Sequence, residues 1–194
     1  MILELDAGNT FIKWRLLNKG VALQQGKLLT AEFSAQSPLT RLTDLEKIRV
    51  ASVAGDAVNQ KILNLFSSDF PKPQFAKSGA KCAGVTNSYA DPSRMGVDRW
   101  LAMLAAYNRT RRACCVVDCG SAITVDYIAD DGTHEGGYIM PGLRLMQQGL
   151  LSNTAEILVD RDINHFDISP GRHTSAAVIH GINFQFQALA EKVA

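Results

Sequence analysis

The sequence has almost no excess charge and no long apolar run, and both absences restrict its function. With 20 Lys and Arg against 19 Asp and Glu, the formal net charge is +1, which gives no electrostatic basis for binding nucleic acid or an anionic membrane. No apolar run approaches the roughly 20 residues that span a bilayer, and the chain begins directly in a strand pattern. We therefore expect a cytoplasmic protein with no nucleic-acid partner and no membrane partner.

The sequence also lacks the cysteine and histidine spacings of zinc and redox sites. No pair of cysteines has the CxxC spacing. Three cysteines fall in one predicted strand, and we expect them to be small core side chains in a reducing compartment. A redox or metal role for Cys119, beside Asp118, is the alternative. The histidines are scattered, and we expect them on solvated loops and helix surfaces, with a site at His173 left open: His134, His165, His173 and His180.

Strand and helix patterns alternate along the chain, which is typical of the α/β class. The composition, 46% hydrophobic and 20% charged, is that of a globular protein. Strands are predicted as a hairpin over 1–17 and at 21–29, 48–53, 113–119, 122–129 and 136–140. Helices are predicted from Pro38, over 57–66, from an Asp91 cap and Pro92 to Arg111, and from about Gly142 and His173. The helix that ends at Arg111 is predicted to bury Trp100, Leu101, Leu104 and Tyr107. Residues 70–89 are rich in turn formers and are predicted to be mostly loop.

An internal repeat organises the sequence. Residues 3–20, LELDAGNTFIKWRLLNKG, align without a gap to residues 115–132, CVVDCGSAITVDYIADDG. Three identities mark the alignment: Asp6 with Asp118, Gly8 with Gly120, and Gly20 with Gly132. Two hairpins of one design imply two copies of one half-domain. We therefore expect a first domain over 1–112 and a second over 113–194.

Each copy places an Asp-x-Gly turn at the end of its first strand. Glycine lets the backbone approach an anion closely, and the turn amides and the side chains of Asn9, Thr10 and Ser121 can donate hydrogen bonds to phosphate oxygens. A carboxylate beside a phosphate requires a bridging cation, and Mg²⁺ prefers such oxygen ligands. Either turn alone would be interpreted as a simple hairpin turn. The pair at matched positions predicts a nucleotide-phosphate site.

The segment SRMGVDRW, residues 93–100, is a second candidate site. Glycine in the first turns of a helix is up to ~1 kcal/mol less favourable than alanine, so Gly96 suggests that another group packs closely there. Asp98 could accept a proton from an attacking hydroxyl, and Arg99 could bind a carboxylate or the transferred phosphoryl group. Equally, Asp98 could be an early-helix acid favoured by the helix dipole, with Arg99 a surface cation.

Two further segments carry glycine-rich turns. EGGYIMPG, residues 135–142, is compatible with a bulge and a tight turn or with a backbone that lines a ligand cleft. SPGRHTSAA, residues 169–177, leads into a helix capped near Thr174. That cap could be purely structural, or it could direct backbone N–H groups and Thr174 at a ligand.

With DAGNT, GVDRW, DCGSA and GGYIMPG in this order, the chain resembles the type III pantothenate kinases from Met1 to about Gln187. That family belongs to the acetate kinase, sugar kinase, Hsp70 and actin superfamily. The resemblance implies a duplicated actin-like (ribonuclease H-like) two-lobed α/β fold with mixed sheets flanked by helices. Because the repeat leaves fewer residues after its second copy than after its first, we expect an incomplete second lobe.

The resemblance also implies an activity, which is ATP-dependent phosphorylation of pantothenate to 4'-phosphopantothenate, the first step of coenzyme A biosynthesis. It implies a cytoplasmic homodimer that uses ATP, Mg²⁺ and a monovalent cation, K⁺ or NH₄⁺. Asp98 would be the catalytic proton acceptor. Asp118 would bind the monovalent cation, and Asp6 would hold Mg²⁺ through the phosphates.

The remaining implied contacts fall on the matching motif positions. Those for ATP and its phosphates are Asp6, Gly8, Asn9, Thr10, Lys13, Gly120 and Ser121. Those for the substrate are Tyr89, Gly96, Val97, Asp98, Arg99 and Thr174. The second phosphate motif reads DCGSA where the family usually has Asp-x-Gly-Thr-Ala, and Ser121 keeps the hydroxyl. Another small-molecule kinase of the superfamily, or a non-catalytic nucleotide-binding regulator on the same fold, is also compatible with these residues.

Overall fold

The computed structural model describes residues 1–34, 36–66, 70–154, 159 and 166–193. These described residues form ten strands: β1 (Ile2–Ala7), β2 (Phe11–Asn18), β3 (Val21–Leu29), β4 (Lys47–Ser52), β5 (Gln74–Phe75), β6 (Lys81–Cys82), β7 (Val85–Thr86), β8 (Cys114–Cys119), β9 (Ala122–Ile128) and β10 (His134–Pro141). They also form four α-helices: α1 (Asp56–Leu65), α2 (Val97–Thr110), α3 (Leu143–Asn153) and α4 (Thr174–Val193).

The chain folds into two compact units. Unit 1 comprises Met1–Cys114 and Ile128–Glu135, and unit 2 comprises Cys115–Tyr127 and Gly136–Ala194. Both units combine β-strands with flanking helices, which confirms the predicted α/β class with mixed sheets. The division into domains at 1–112 and 113–194 stays a prediction. Among the helices that the structure describes, none has the length and apolar character needed to cross a bilayer.

Unit 1 is built on a five-stranded sheet in the order β3-β2-β1-β4-β5. β1 pairs antiparallel with β2 and parallel with β4. Because successive side chains of a strand point to opposite faces, Leu3 and Leu5 enter the core while Glu4 and Asp6 lie on the other face. The core cluster is Leu3, Leu5, Ala7, Ile12, Leu16, Phe33, Leu39, Ile48, Val50, Ile62 and Phe66.

The segment 70–89, predicted to be mostly loop, contains three two-residue strands. β5 extends the large sheet beside β4, and β6 pairs antiparallel with β7. Paired stretches this short show no periodic pattern in the sequence. The segment is thus joined to the large sheet through β5, and β6 and β7 form a separate two-stranded sheet just before Asn87.

The helix predicted from Pro92 begins five residues later than expected from its cap. Asp91 caps only a 3-10 turn, Pro92–Arg94, through a bond from the Ser93 amide to its Oδ1 (3.0 Å). Gly96 is the N-cap of α2, with φ −54° and ψ 130°, so its placement inside the helix is wrong. A capping Asp followed by Pro suits a short 3-10 turn as well as an α-helix, which explains the error.

Burial along α2 follows the predicted face only in part. Trp100 and Tyr107 are buried as expected, together with Met103. Leu101, predicted to be buried, is 37% exposed. The buried stripe therefore lies on a slightly different side of the helix, and it includes a charged residue, Arg99.

Unit 2 contains most of a three-stranded sheet in the order β10-β9-β8, together with α3 and α4, which contact each other. The expectation that the strand cysteines are core side chains is wrong. Cys115 and Cys119 are exposed and Cys114 is half-buried, and none of the three forms a disulfide bond. Their strand, β8, forms one edge of this sheet, so small apolar side chains there are not enclosed by neighbouring strands on both sides.

Candidate active site

The first Asp-x-Gly turn connects β1 to β2. The Gly8 amide donates to the carbonyl of Phe11 (3.0 Å), which closes a three-residue turn over Gly8, Asn9 and Thr10. Asp6 is exposed at the end of β1, and its carboxylate lies 3.9 Å from the ammonium of Lys13, its cross-strand partner. The turn therefore carries a solvent-accessible carboxylate, two polar side chains and a cation, as the sequence predicts.

Thr30 anchors this turn, and the sequence analysis missed it. Its hydroxyl donates to the Gly8 carbonyl (2.8 Å), and its amide donates to the Thr10 carbonyl (3.0 Å). Thr30 is itself buried. Two bonds from one buried residue fix both ends of the turn, although a threonine following a strand has no pattern that would single it out.

A groove of about 1090 Å³ lies on the polar face of the unit 1 sheet. Its lining includes Asp6 and Lys13 from the predicted phosphate motif. The other charged side chains of the lining are Glu4, Arg15, Lys27 and Arg49. Cations outnumber carboxylates in this lining, and Arg15 and Arg49 both pair with Glu4 (2.5 and 3.4 Å).

The second Asp-x-Gly turn connects β8 to β9 and is one residue tighter than the first. The Gly120 amide donates to the Ala122 carbonyl (2.9 Å), and only Gly120 and Ser121 lie between the strands. The two hairpins are thus similar without being identical. Asp118 is exposed near the end of β8, and Ser121 is exposed in the turn.

The closing glycines of the two repeats have the same backbone conformation. Gly20 has φ +82° and Gly132 has φ +83°, values that L side chains rarely adopt. A matched left-handed glycine at the end of each hairpin supports the duplication inferred from the sequence. Beside Gly132, the Thr133 amide donates to Asp131 (2.8 Å), and this bond holds the pKa of that carboxyl below its usual value.

Gly142, from the EGGYIMPG segment, packs directly on the second turn. Its amide donates to the Ser121 carbonyl (2.9 Å), and a Cβ at this position would overlap the carbonyl oxygens of Gly120 and Ser121. Gly142 is also the N-cap of α3. The segment therefore supports the second turn, and glycine is required there because of the close approach of two backbones.

Asp98 lies in the first turn of α2 and is half-buried. Its Oδ1 accepts a hydrogen bond from the Arg99 amide (2.8 Å), and it lies so close to Gly96 that a Cβ on that glycine would be 2.5 Å away. The carboxylate thus folds over the N-cap of the helix. Gly96 is explained by this approach, which confirms that another group packs closely against it.

Arg99 is 6% exposed, so the alternative that it is a surface cation is wrong. Its Nη1 donates to the hydroxyl of Tyr89 (2.9 Å), and the guanidinium carbon lies 5.8 Å from the centre of the Tyr89 ring. Tyr89 is itself held by a bond from its amide to the side chain of Asn87 (3.0 Å). The structure therefore brings together two predicted substrate residues that are ten positions apart in the chain.

Val53 links the first turn to the start of α2 and is a second residue that the sequence analysis missed. Its amide donates to the Ala7 carbonyl (3.0 Å), next to Gly8. Its Cγ1 lies 4.0 Å from the position of a Cβ on Gly96. Within unit 1, Val53 thus lies between the predicted phosphate turn and the predicted substrate motif.

Two histidines differ from the expectation of solvated positions. The side chain of His180 is only 11% exposed, and its ring is bonded to the Ser169 carbonyl (2.7 Å). His134 is 1% exposed, so that prediction is wrong for this residue. His173 is exposed and precedes α4, where its carbonyl accepts from the Ala177 amide (2.9 Å) and its ring from the Ala176 amide (3.4 Å). His173 therefore caps the helix, and Thr174 is its exposed first residue. His165 lies outside the described residues.

The described residues contain no cluster of three or more metal-binding side chains. Mg²⁺ in nucleotide sites usually keeps several waters and takes one or two carboxylates together with substrate phosphates. The exposed carboxylate of Asp6 is a donor of the required kind. Asp118 offers a similar oxygen donor in unit 2.

Comparison with known proteins gives one consistent family. Residues 2–194 match the sequence profile of type III pantothenate kinase. A relative with that name from Chromohalobacter salexigens is 42% identical over 94% of this chain and 66% of its own length. Another from Marinobacter nauticus is 38% identical over the whole of this chain and 80% of its own length.

A solved structure shares the fold. It is described as a Baf family transcriptional activator from Campylobacter jejuni, with a TM-score of 0.60 and 22% identity. The match covers 99% of this chain and 79% of that one. At this identity the likeness concerns architecture alone.

Proposed function

Because the chain belongs to the type III pantothenate kinase family, we propose that it transfers the γ-phosphoryl group of ATP to the primary hydroxyl of pantothenate. The observation that carries this proposal is the buried Arg99, hydrogen-bonded to Tyr89 and directly following Asp98. A guanidinium presents paired donors in one plane, which can contact an oxyanion in a bidentate manner. The pantothenate carboxylate and the transferred phosphoryl group are both oxyanions of this kind.

Asp98 is the proposed proton acceptor. As the pantothenate oxygen forms its bond to the γ-phosphorus, the bond from that phosphorus to the β–γ bridging oxygen breaks and its electrons leave with ADP. The hydroxyl proton passes to the Asp98 carboxylate. Phosphoryl transfer depends mostly on positioning and charge stabilisation, so one base beside a fixed cation is a sufficient protein contribution at this end of the reaction.

The two Asp-x-Gly turns are the proposed phosphate contacts. Asn9 and Thr10 carry amide and side-chain donors, and Lys13 adds a positive charge. Gly8 donates its own amide to Phe11, and its lack of a side chain lets a phosphate approach the backbone. In unit 2 the Gly120 amide likewise donates to Ala122, and Ser121 carries an amide and a hydroxyl donor. Magnesium, held by Asp6 through the phosphates, would neutralise charge on the transferring group.

Three further features belong to the proposal. Asp118 would bind the monovalent cation, and Gly96, Val97 and Thr174 would contact the substrate. The chain would act as a homodimer in the cytoplasm. Family resemblance supports each of these, and the exposure of Asp118 and Thr174 is compatible with ligand contact.

The role of Asp98 is tested by Asp98→Asn. Loss of a positioned general base typically lowers the rate about 10²–10⁴-fold, so kcat should fall by that factor with little change in the KM for ATP. Asp56→Asn is the matched control, since Asp56 is also an acid in the first turn of a helix, α1, where it is exposed. The reaction is followed by coupled detection of ADP.

The two candidate roles of Asp98, general base and helix-dipole acid, predict different values of kcat for Asp98→Asn. If the residue serves only to complement the helix dipole, both variants lose a similar small amount of stability and keep their turnover. Wild-type kcat in Asp98→Asn would therefore refute the assignment of the base.

A further inference from the structure

We propose that His134 is a positioning residue for substrate recognition, acting through Tyr89 on the guanidinium of Arg99. The inference rests on the proposed function, because it assigns Tyr89 and Arg99 to the pantothenate site. The role proposed for His134 is indirect. Its contribution is to hold an aromatic side chain that in turn orients a buried cation.

The fold brings His134 to this place by pairing two short segments of unit 1. Thr86, at the end of β7, forms a parallel bridge with Thr133, and the Thr86 amide donates to the Gly132 carbonyl (2.9 Å). The residues that follow each partner therefore lie side by side. His134 consequently lies next to the Ser88–Tyr89 segment, 46 positions away from Ser88 in the chain.

His134 makes two contacts with that segment. Its Nδ1 shares a hydrogen bond with the hydroxyl of Ser88 (2.9 Å). Its ring is stacked on the ring of Tyr89, with centroids 6.3 Å apart and an interplanar angle of 30°. The hydrogen bond fixes the orientation of the imidazole. Stacking against this fixed ring then limits the orientations that the Tyr89 side chain can adopt.

Tyr89 in turn limits the orientations of the Arg99 side chain. Its hydroxyl accepts from Nη1 of Arg99 (2.9 Å), and its ring lies beneath the guanidinium at 5.8 Å. An arginine side chain has many rotamers, and ordering it before the ligand arrives reduces the entropy lost on binding. His134, Tyr89 and Arg99 thus form a chain of contacts that pre-organises the anion-binding group.

The principal test compares steady-state kinetics of His134→Phe and His134→Asn with wild type. Phenylalanine keeps an aromatic ring without the Ser88 bond, and asparagine keeps a polar atom near Nδ1 without the ring. We expect the KM for pantothenate to rise about 5-fold or more in His134→Asn and less in His134→Phe, with the KM for ATP within about 2-fold of wild type.

Two companion variants separate positioning from a general loss of structure. Ser88→Ala removes the hydrogen bond from an exposed position, and its KM for pantothenate should also rise. Leu39→Ala removes a fully buried side chain from the core cluster of unit 1, and it should lower stability while leaving both KM values unchanged. Equal changes in both KM values, or none in the His134 variants, would overturn the proposal.

A measurement independent of turnover keeps this inference distinct from the proposed function. The Nε–H resonance of Arg99, assigned with Arg99→Lys, reports on the exchange of that proton with water. In His134→Asn the exchange should be at least about 10-fold faster than in wild type and in Leu39→Ala, since Tyr89 is no longer held against the guanidinium by the His134 ring. Unchanged exchange would overturn the proposal even if pantothenate is phosphorylated, and faster exchange without any turnover would leave the contact chain supported and the proposed substrate wrong.

Discussion

At the scale of a single residue, burial changes what the charge of Arg99 contributes to the protein. An exposed arginine contributes little through a surface ion pair, whereas a buried one must be hydrogen-bonded. Tyr89 accepts one such bond, and the guanidinium presents its donors in a fixed planar geometry. A residue of this kind is suited to recognise a carboxylate or phosphoryl oxygen.

Substitution of this residue by lysine tests the importance of that geometry. Arg99→Lys keeps the charge but loses the planar fork and the contact with the Tyr89 ring. We expect the KM for pantothenate to rise about 10-fold, equivalent to about 1.4 kcal/mol of binding free energy, as measured by steady-state kinetics. Arg94→Lys, at an exposed arginine of the preceding 3-10 turn, is the control and should behave as wild type. A KM for Arg99→Lys equal to that of the control would contradict the role.

The sequence could predict the identities of such residues better than their environments. Asp98 and Arg99 were candidates because a carboxylate and a cation are adjacent after a glycine. The burial of Arg99 could not be read from the sequence, because it depends on Tyr89, whose position follows from Asn87 and the preceding short strands. His134 was missed for the same reason, since its contacts depend on a bridge between distant segments.

At the scale of elements, the two Asp-x-Gly hairpins share a plan but are anchored differently. The first turn is fixed by the side chain and backbone of Thr30. The second is fixed by the backbone of Gly142 at the start of α3. The anchoring of the second turn therefore requires that residue 142 has no side chain.

Two glycine substitutions in and beside α3 test this anchoring. In Gly142→Ala, overlap with the Gly120 and Ser121 carbonyls should displace the second turn, destabilise the protein by about 1–3 kcal/mol and raise the KM for ATP. Gly149→Ala lies within α3 with open space around the new methyl group, and it should stabilise by about 0.5–1 kcal/mol. Urea denaturation measures both, and destabilisation of equal size in the two variants would contradict the explanation.

The elements themselves were largely predictable where periodicity was strong. β1, β2 and β8 and the closing turns at Gly20 and Gly132 follow from alternation and from glycine at matched positions. The start of α2 was not predictable from Asp91 and Pro92, because the same residues satisfy a 3-10 turn. The exposure of the β8 cysteines likewise depends on the position of the strand at the edge of a sheet.

At the scale of the whole molecule, the family and the α/β class follow from several motifs in a fixed order. The profile match over residues 2–194 and relatives at 38–42% identity confirm the membership that DAGNT, GVDRW and DCGSA predict. Single motifs of this length are common, but their combination is specific. The assignments of individual site residues, the homodimer and the monovalent cation remain predictions.

The most direct test of the account is to incubate the purified chain with ATP, Mg²⁺ and pantothenate, with and without K⁺ or NH₄⁺, and to identify the products by mass spectrometry. We expect ADP and 4'-phosphopantothenate in equal amounts, with a higher rate when the monovalent cation is present and none when Mg²⁺ is omitted. A protein that is folded by circular dichroism but forms no 4'-phosphopantothenate with either cation would contradict the proposed kinase activity.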